Sequence, residues 1–261
     1  MLALRDLPEE YKKWNRSFFA PFGRRWVSRH LPNIIKNTII GNRLQGMFAF
    51  QANNSTRLYE YPFAFYSADL VRGMKILEIG GGMSGFQFVL AKQGLSVINV
   101  DPGLAAHGCG WPVDNQSIAK LNKAFGTQVE LRNCFIQNAS LADNYFDRVF
   151  SISVIEHLPP DDLISMLENI KRVLKPGGLL ILTVDLFLDL KPFTRRESNK
   201  YGRNISIYEL VTLSGFKMIK GKREELLGFP EFDAENILCN FSQYMLGTGY
   251  PALAQLLILQ K

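Results

Sequence analysis

Three cysteines in 261 residues, Cys109, Cys134 and Cys239, are too few and too far apart for a disulfide framework or a paired metal-ligand spacing. All three are expected to be reduced, and none to be a nucleophile. No apolar run reaches the roughly 20 residues that a membrane span requires, and the opening Met1-Leu2-Ala3-Leu4-Arg5-Asp6 lacks the order of a secretory leader. A cytoplasmic protein with no membrane span is the expectation. Internal repeats and low-complexity tracts are absent as well, which excludes a solenoid or a fibrous chain. Long runs of like charge are also missing. The formal charge is +6, but its basic residues come in short groups, Arg24-Arg25, Arg195-Arg196 and Lys217 to Arg223. Such scatter reads as solvated surface, so a nucleic-acid partner is not expected.

What is present is a globular composition, 47% hydrophobic and 21% charged, able to bury one large core unaided. A division falls near Arg72-Gly73. Residues 1–70 carry Trp14, Phe18, Phe19, Phe22 and Trp26 at partly helical spacing. They read as a helical lid, with the Phe18 to Trp26 stretch as core rather than a membrane anchor. Residues 71–261 read as a second unit in which apolar runs alternate with amphipathic stretches, the pattern of a sheet with helices on both faces. Strands are expected at 75–79, 95–100, 129–131, 148–154, 179–184, 216–219 and 252–259. Helices are expected near 86–93, 115–125 and 206–214 and after Pro159-Pro160-Asp161, the 206–214 helix from its Ser206-x-x-Glu209 capping box and closing Gly215. Lys175-Pro176-Gly177-Gly178 is expected to turn the chain into the fifth strand.

Chemistry enters with Gly80-Gly81-Gly82-Met83-Ser84-Gly85, set between a strand and a helix, where glycines permit a sharp bend and close approach to a ligand. Alone the cluster is ambiguous. Gly80, Gly82 and Gly85 also satisfy the G-x-G-x-x-G fingerprint, with Asp101 downstream where a ribose-binding acid belongs. Glu78 separates the readings, because a carboxylate just before the glycines sits poorly beside a pyrophosphate and suits an ammonium group.

Four segments together extend the pattern: Leu77-Glu78-Ile79-Gly80-Gly81-Gly82, Val100-Asp101, Phe146 to Leu158, and Leu174-Lys175-Pro176-Gly177-Gly178. In this order they resemble the class I (Rossmann-like) S-adenosylmethionine-dependent methyltransferases of small molecules, over roughly residues 72 to 220. The resemblance implies an α/β fold with a seven-stranded, mostly parallel sheet, helices on both faces and an N-terminal helical lid. It implies S-adenosyl-L-methionine as cofactor and S-adenosyl-L-homocysteine as product. Gly80, Gly81 and Gly82 would pass under the methionyl and ribose parts, Glu78 would hold the ammonium end, and Asp101, followed by Pro102, would accept from both ribose hydroxyls. Ser151 in the fourth strand is a further expected contact. Ser84 replaces a third family glycine, with Gly85 immediately after it. Cys134-Phe135-Ile136-Gln137 stands where many relatives carry a Gly-Asp pair, so Phe135 or Ile136 is expected to pack on the adenine. Tyr59 or Tyr61 is expected either to meet the methionine end or to serve as a core aromatic.

His157 follows the fourth strand near the expected methyl group, and reads either as the base that deprotonates an acceptor or as a structural histidine. Asp185 is a second candidate base. Lys191, Arg195, Arg196, Lys200 and Arg203 in the insertion 186–204 suit a phosphate- or carboxylate-bearing acceptor, or are solvated surface. The leading expectation is methyl transfer to oxygen or nitrogen of a small or nucleotide-linked metabolite. An RNA-directed enzyme, a non-catalytic cofactor-binding subunit and a nicotinamide oxidoreductase remain open at this point.

Overall fold

The computed structural model describes residues 1–106 and 110–261. Cys109 lies outside the described residues, while Cys134 and Cys239 are free thiols. Five helices precede the first strand: α1 (Glu9–Phe18), α2 (Arg25–His30), α3 (Asn33–Lys36), α4 (Ile39–Gln45) and α5 (Arg57–Tyr66). Then come β1 (Lys75–Ile79), α6 (Gly85–Lys92), β2 (Ser96–Val100), α7 (Asn115–Phe125), β3 (Glu130–Arg132), β4 (Phe146–Ile152), α8 (Pro160–Val173) and β5 (Leu174–Phe187). A small hairpin, β6 (Ser198–Asn199) and β7 (Gly202–Arg203), leads to α9 (Ile207–Ser214), β8 (Lys217–Lys220), α10 (Ala234–Cys239) and β9 (Ala252–Gln260).

Local chemistry sets the element ends. Asp114 caps α7 by accepting from the Ser117 N–H at 2.8 Å, and Gly126 closes that helix in the left-handed region. Ser206 does the same for α9 through the Glu209 N–H, with Gly215 left-handed at its end. The strands β3-β2-β1-β4-β5-β9-β8 form one seven-stranded sheet, in which β9 runs antiparallel to both neighbours and the other pairings are parallel. Residues Met1 to Ala3 run beside β9, through Ala3 N–H to Ala254 O (2.9 Å) and Leu256 N–H to Met1 O (2.7 Å).

Alternation along the strands divides the core in two. Ile76, Val97, Phe150, Ile181 and Leu256 face α1, α5, α6 and α7, while Leu77, Val149, Leu180, Leu182 and Leu257 face α8 and α9. Each fully buried side chain of this size contributes roughly 1.5–3 kcal/mol. Among the described residues no helix is long and apolar enough to cross a membrane.

Three expectations need correction. The fourth strand ends at Ile152, not Val154, because Ser153 takes φ +46° and turns the chain toward the site. The Lys175-Pro176-Gly177-Gly178 segment does not precede the fifth strand but lies within it as an irregularity, between the pairings Phe146 with Leu174 and Arg148 with Leu179. The Phe18 to Trp26 stretch is not core throughout: Ala20 and Pro21 are buried, but Phe19 and Trp26 are exposed. Its last two residues, Arg25 and Trp26, open α2, which has no buried residue.

Candidate active site

The order β3-β2-β1-β4-β5 reverses direction between β1 and β4, and in such sheets the crevice beyond the carboxyl ends of the strands at that point binds ligands. A cavity of about 690 Å³ lies there. Glu78 and Gly80–Gly81 from the end of β1, Asp101 and Pro102 after β2, Cys134 to Gln137 after β3, and Ser153 and His157 after β4 all line it.

The glycine bend is braced from behind. Gly80 takes φ +68°, and a Cβ there would fall 2.6 Å from a Val154 methyl carbon. Gly81 N–H donates to Asn99 Oδ1 at 3.2 Å, Asn99 Nδ2 donates to Gly82 O at 3.0 Å, and Gly82 N–H donates to Asp101 Oδ2 at 2.7 Å. From the N-terminal layer, Gln51 Oε1 accepts from Met83 N–H at 2.7 Å. The lid segment is therefore part of the cradle.

Two carboxylates border this bend. Asp101 accepts from Gly82 and Gly103 N–H, both at 2.7 Å, one on each oxygen, so each oxygen retains capacity for another donor. Burial raises its pKa, against the pull of those two bonds. Glu78 accepts at Oε1 from Ser84 Oγ at 3.1 Å, but its buried Oε2 has no partner among the described residues. Burial, with a smaller contribution from the Asp101 charge, pushes Glu78 up to about 8. An orphaned buried carboxylate oxygen on a cavity wall calls for a donor, and a ligand ammonium meets that need. The residues thus fit an amino acid end at Glu78 and a ribose diol at Asp101.

On the wall that follows β4, burial lowers the His157 pKa. Its Nδ1 contacts the Tyr201 carbonyl oxygen. A carbonyl only accepts, so Nδ1 carries the proton and Nε2 carries the lone pair. Below this wall lies a buried polar network. Arg57 pairs with Glu60 and donates to Ser153 Oγ at 2.7 Å. The Ser153 hydroxyl lies 2.9 Å from Glu60 Oε1 and 3.2 Å from Asp185 Oδ1. Tyr250 donates to Asp185 Oδ2, and Asp185 N–H donates to Glu156 Oε1 at 3.1 Å. Burial, then the Glu60 charge, pushes Asp185 up to about 6, and burial with the Asp185 charge raises Glu156 well above the usual range.

Of the residues expected at the site, Glu78, Gly80, Gly81, Asp101, Pro102, Phe135, Ile136 and His157 line the cavity together. Three do not. Tyr59 is buried with its ring 5.0 Å from that of Tyr11, and Tyr61 lines the cavity in its place, its hydroxyl donating to Asn53 Oδ1 at 3.0 Å. Gly82 acts from behind through Asp101. Ser151 points off the cavity because it sits one residue earlier in β4, with a buried, unpartnered Oγ. Of the insertion's cations only Lys200 lines the cavity, while Lys191 pairs with Glu197 and Arg195 and Arg196 are exposed. Asp185 is fully buried beneath Tyr250 and Ser153, not on the wall. Arg57, Tyr250, Gln51 and Asn99 escaped sequence reasoning. Asn99 had a signal, a polar side chain inside a strand expected to be buried on both faces.

Comparison with known proteins agrees with this geometry. Residues 77–182 match the family model described as a methyltransferase domain. The chain is 29% identical over 123 residues to a ubiquinone biosynthesis O-methyltransferase of Dinoroseobacter shibae, covering 47% of this chain and 45% of that one. It is 34% identical over 117 residues to the mitochondrial ubiquinone biosynthesis O-methyltransferase of Homo sapiens, covering 42% and 28%. These matches span less than half the length of those relatives. Among solved structures, an S-adenosylmethionine-dependent methyltransferase of Methanosarcina mazei superposes with a TM-score of 0.52 at 18% identity, covering 76% of this chain and 96% of that one, and shares the fold. With the glycine bend, the two carboxylates and the strand order in one place, residues 77–182 match a methyltransferase domain on a Rossmann-like fold whose crevice fits S-adenosylmethionine.

Proposed function

We propose that this chain transfers a methyl group from S-adenosylmethionine to a hydroxyl oxygen of a small-molecule acceptor. The observation that carries the reading is one cavity lined by both a cofactor cradle and a neutral, oriented histidine. When bound, the cofactor supplies a methyl group already activated on its sulfonium. The protein's task is then positioning. Glu78 takes the ammonium end, Asp101 the ribose hydroxyls, and Phe135 and Ile136 the adenine face. His157 receives the acceptor's hydroxyl proton at Nε2, while the Tyr201 carbonyl holds the ring and stabilises the charge that forms.

Arg57 and Lys200 are the cations on the acceptor side, and they suit an acceptor bearing a carboxylate or phosphate. The names of the curated relatives support oxygen as the atom methylated. The test is single-turnover methylation of a panel of hydroxylated small molecules. For an acceptor so found, His157→Gln is expected to lower kcat about 10²–10⁴-fold and leave the Kd for S-adenosylhomocysteine unchanged. An unchanged kcat would remove His157 from the chemistry.

A further inference from the structure

Away from the cavity, α2 and α3 each pack on α4 to form a cap, and neither α2 nor α3 has a buried residue. Instead they present large apolar side chains to solvent. Trp26 is 73% exposed, Ile34 86% and Ile40 66%, with Ile35 and Leu44 exposed beside them. Single exposed side chains of this kind are ordinary, but five on three helices packed together form a patch.

The charge of this region is one-sided. From Arg24 to Arg43 the chain has no Asp or Glu and five Lys or Arg, so the remaining residues hold 25 basic against 24 acidic side chains. Nearly the whole positive excess lies here. Arg25, Arg29 and Arg43 are exposed. Among the described residues, none of Arg24, Arg25, Arg29, Lys36 and Arg43 is paired with a carboxylate. Arg24 and Arg25 lie over the Phe19 and Phe22 rings at 4.2 and 3.6 Å, and Trp26 stacks on His30 at 4.8 Å. Residues that look scattered one by one gather into a basic surface studded with Trp and Ile.

We propose that this cap docks the protein on a membrane surface rich in anionic phospholipid. Arginines meet the lipid phosphates, Trp26 sits at the headgroup level, and Ile34 and Ile40 enter the acyl boundary. A nucleic acid would use the cations and the indole but has no use for the branched aliphatic side chains. Docking of this kind spans nothing, and it is independent of the methyl-transfer reading.

The test is co-sedimentation of the full chain with vesicles. Partition onto phosphatidylcholine containing about 30 mol% phosphatidylglycerol is expected to exceed that onto pure phosphatidylcholine by about tenfold or more, and to fall as salt is added. Arg25→Gln and Arg29→Gln should each lower it about fivefold. Combined Trp26→Ser, Ile34→Ser and Ile40→Ser should lower it by about tenfold or more. All five side chains are exposed, so unchanged thermal unfolding and S-adenosylhomocysteine binding will show that the variants are folded. Equal partition onto both kinds of vesicle, or an unchanged partition in the triple variant, overturns the proposal. So does tighter binding to a single-stranded RNA that the arginine variants weaken and the isoleucine changes do not.

Discussion

Glu78 states the site's logic in one side chain. Its Oε2 is buried without a partner among the described residues, and burial pushes its pKa up to about 8. Pairing with a ligand ammonium favours the ionised form, so cofactor binding near pH 7 must expel a proton. Calorimetry of S-adenosylhomocysteine in buffers of different ionisation enthalpy should therefore show release approaching about one proton per site at pH 7. Glu78→Gln should abolish that release and weaken binding. The folding sign follows too. A carboxyl raised in the native state binds its proton more tightly there than in the unfolded chain, so through Glu78 the protein loses stability as pH rises from 4.5 through about 8. Above that range Glu78→Gln should raise the Tm by a few degrees. His157 works in the opposite direction. Burial lowers its pKa from 6.5, so the acid limb of the kcat/KM profile should lie below pH 6.5. A limb at higher pH would assign the proton transfer to another group.

At the scale of elements, the site hangs on the β1–α6 bend and on α5. The bend was legible in the sequence because its requirements are local: a β-rich run, glycines able to take positive φ, then a helical pattern. The capped helices α7 and α9 were legible for the same reason. Asp101 could be found because it ends a strand at a turn. Arg57, Gln51 and Tyr250 could not, since only tertiary packing brings the loop before α5 to the β1–α6 bend, and α5 and the turn before β9 to the ends of β4 and β5. Tyr59 and Tyr61 show the limit. Both lie on a helix with a known sequence, yet which one faces the ligand depends on how α5 is rotated against α1 and α6. The Arg57 network makes its own prediction. Arg57 is the cation paired within a buried set holding Glu60, Glu156 and Asp185, and removing one partner of such a set leaves charge uncompensated. Arg57→Ala should cost about 3–5 kcal/mol in denaturant unfolding, with less loss at low pH as the carboxyls protonate. A cost below about 1 kcal/mol would mean that water reaches the network.

For the molecule as a whole, sheet order and charge distribution divide the labour. The reversal between β1 and β4 makes one crevice, and the residues before β1 close it with Gln51, Arg57 and Tyr61, while the α2–α4 cap among them carries most of the chain's positive excess. The central claim is that the crevice holds a nucleoside linked to an amino acid, with Asp101 on the sugar and Glu78 on the amine. Calorimetric titration with S-adenosylhomocysteine, and separately with a nicotinamide dinucleotide, tests it most directly. The account predicts saturable one-to-one binding of the first, weakened about 100-fold or more in Asp101→Ala as two hydrogen bonds to a charged group are lost, and no binding of the second. Binding of the dinucleotide with none of S-adenosylhomocysteine would contradict it.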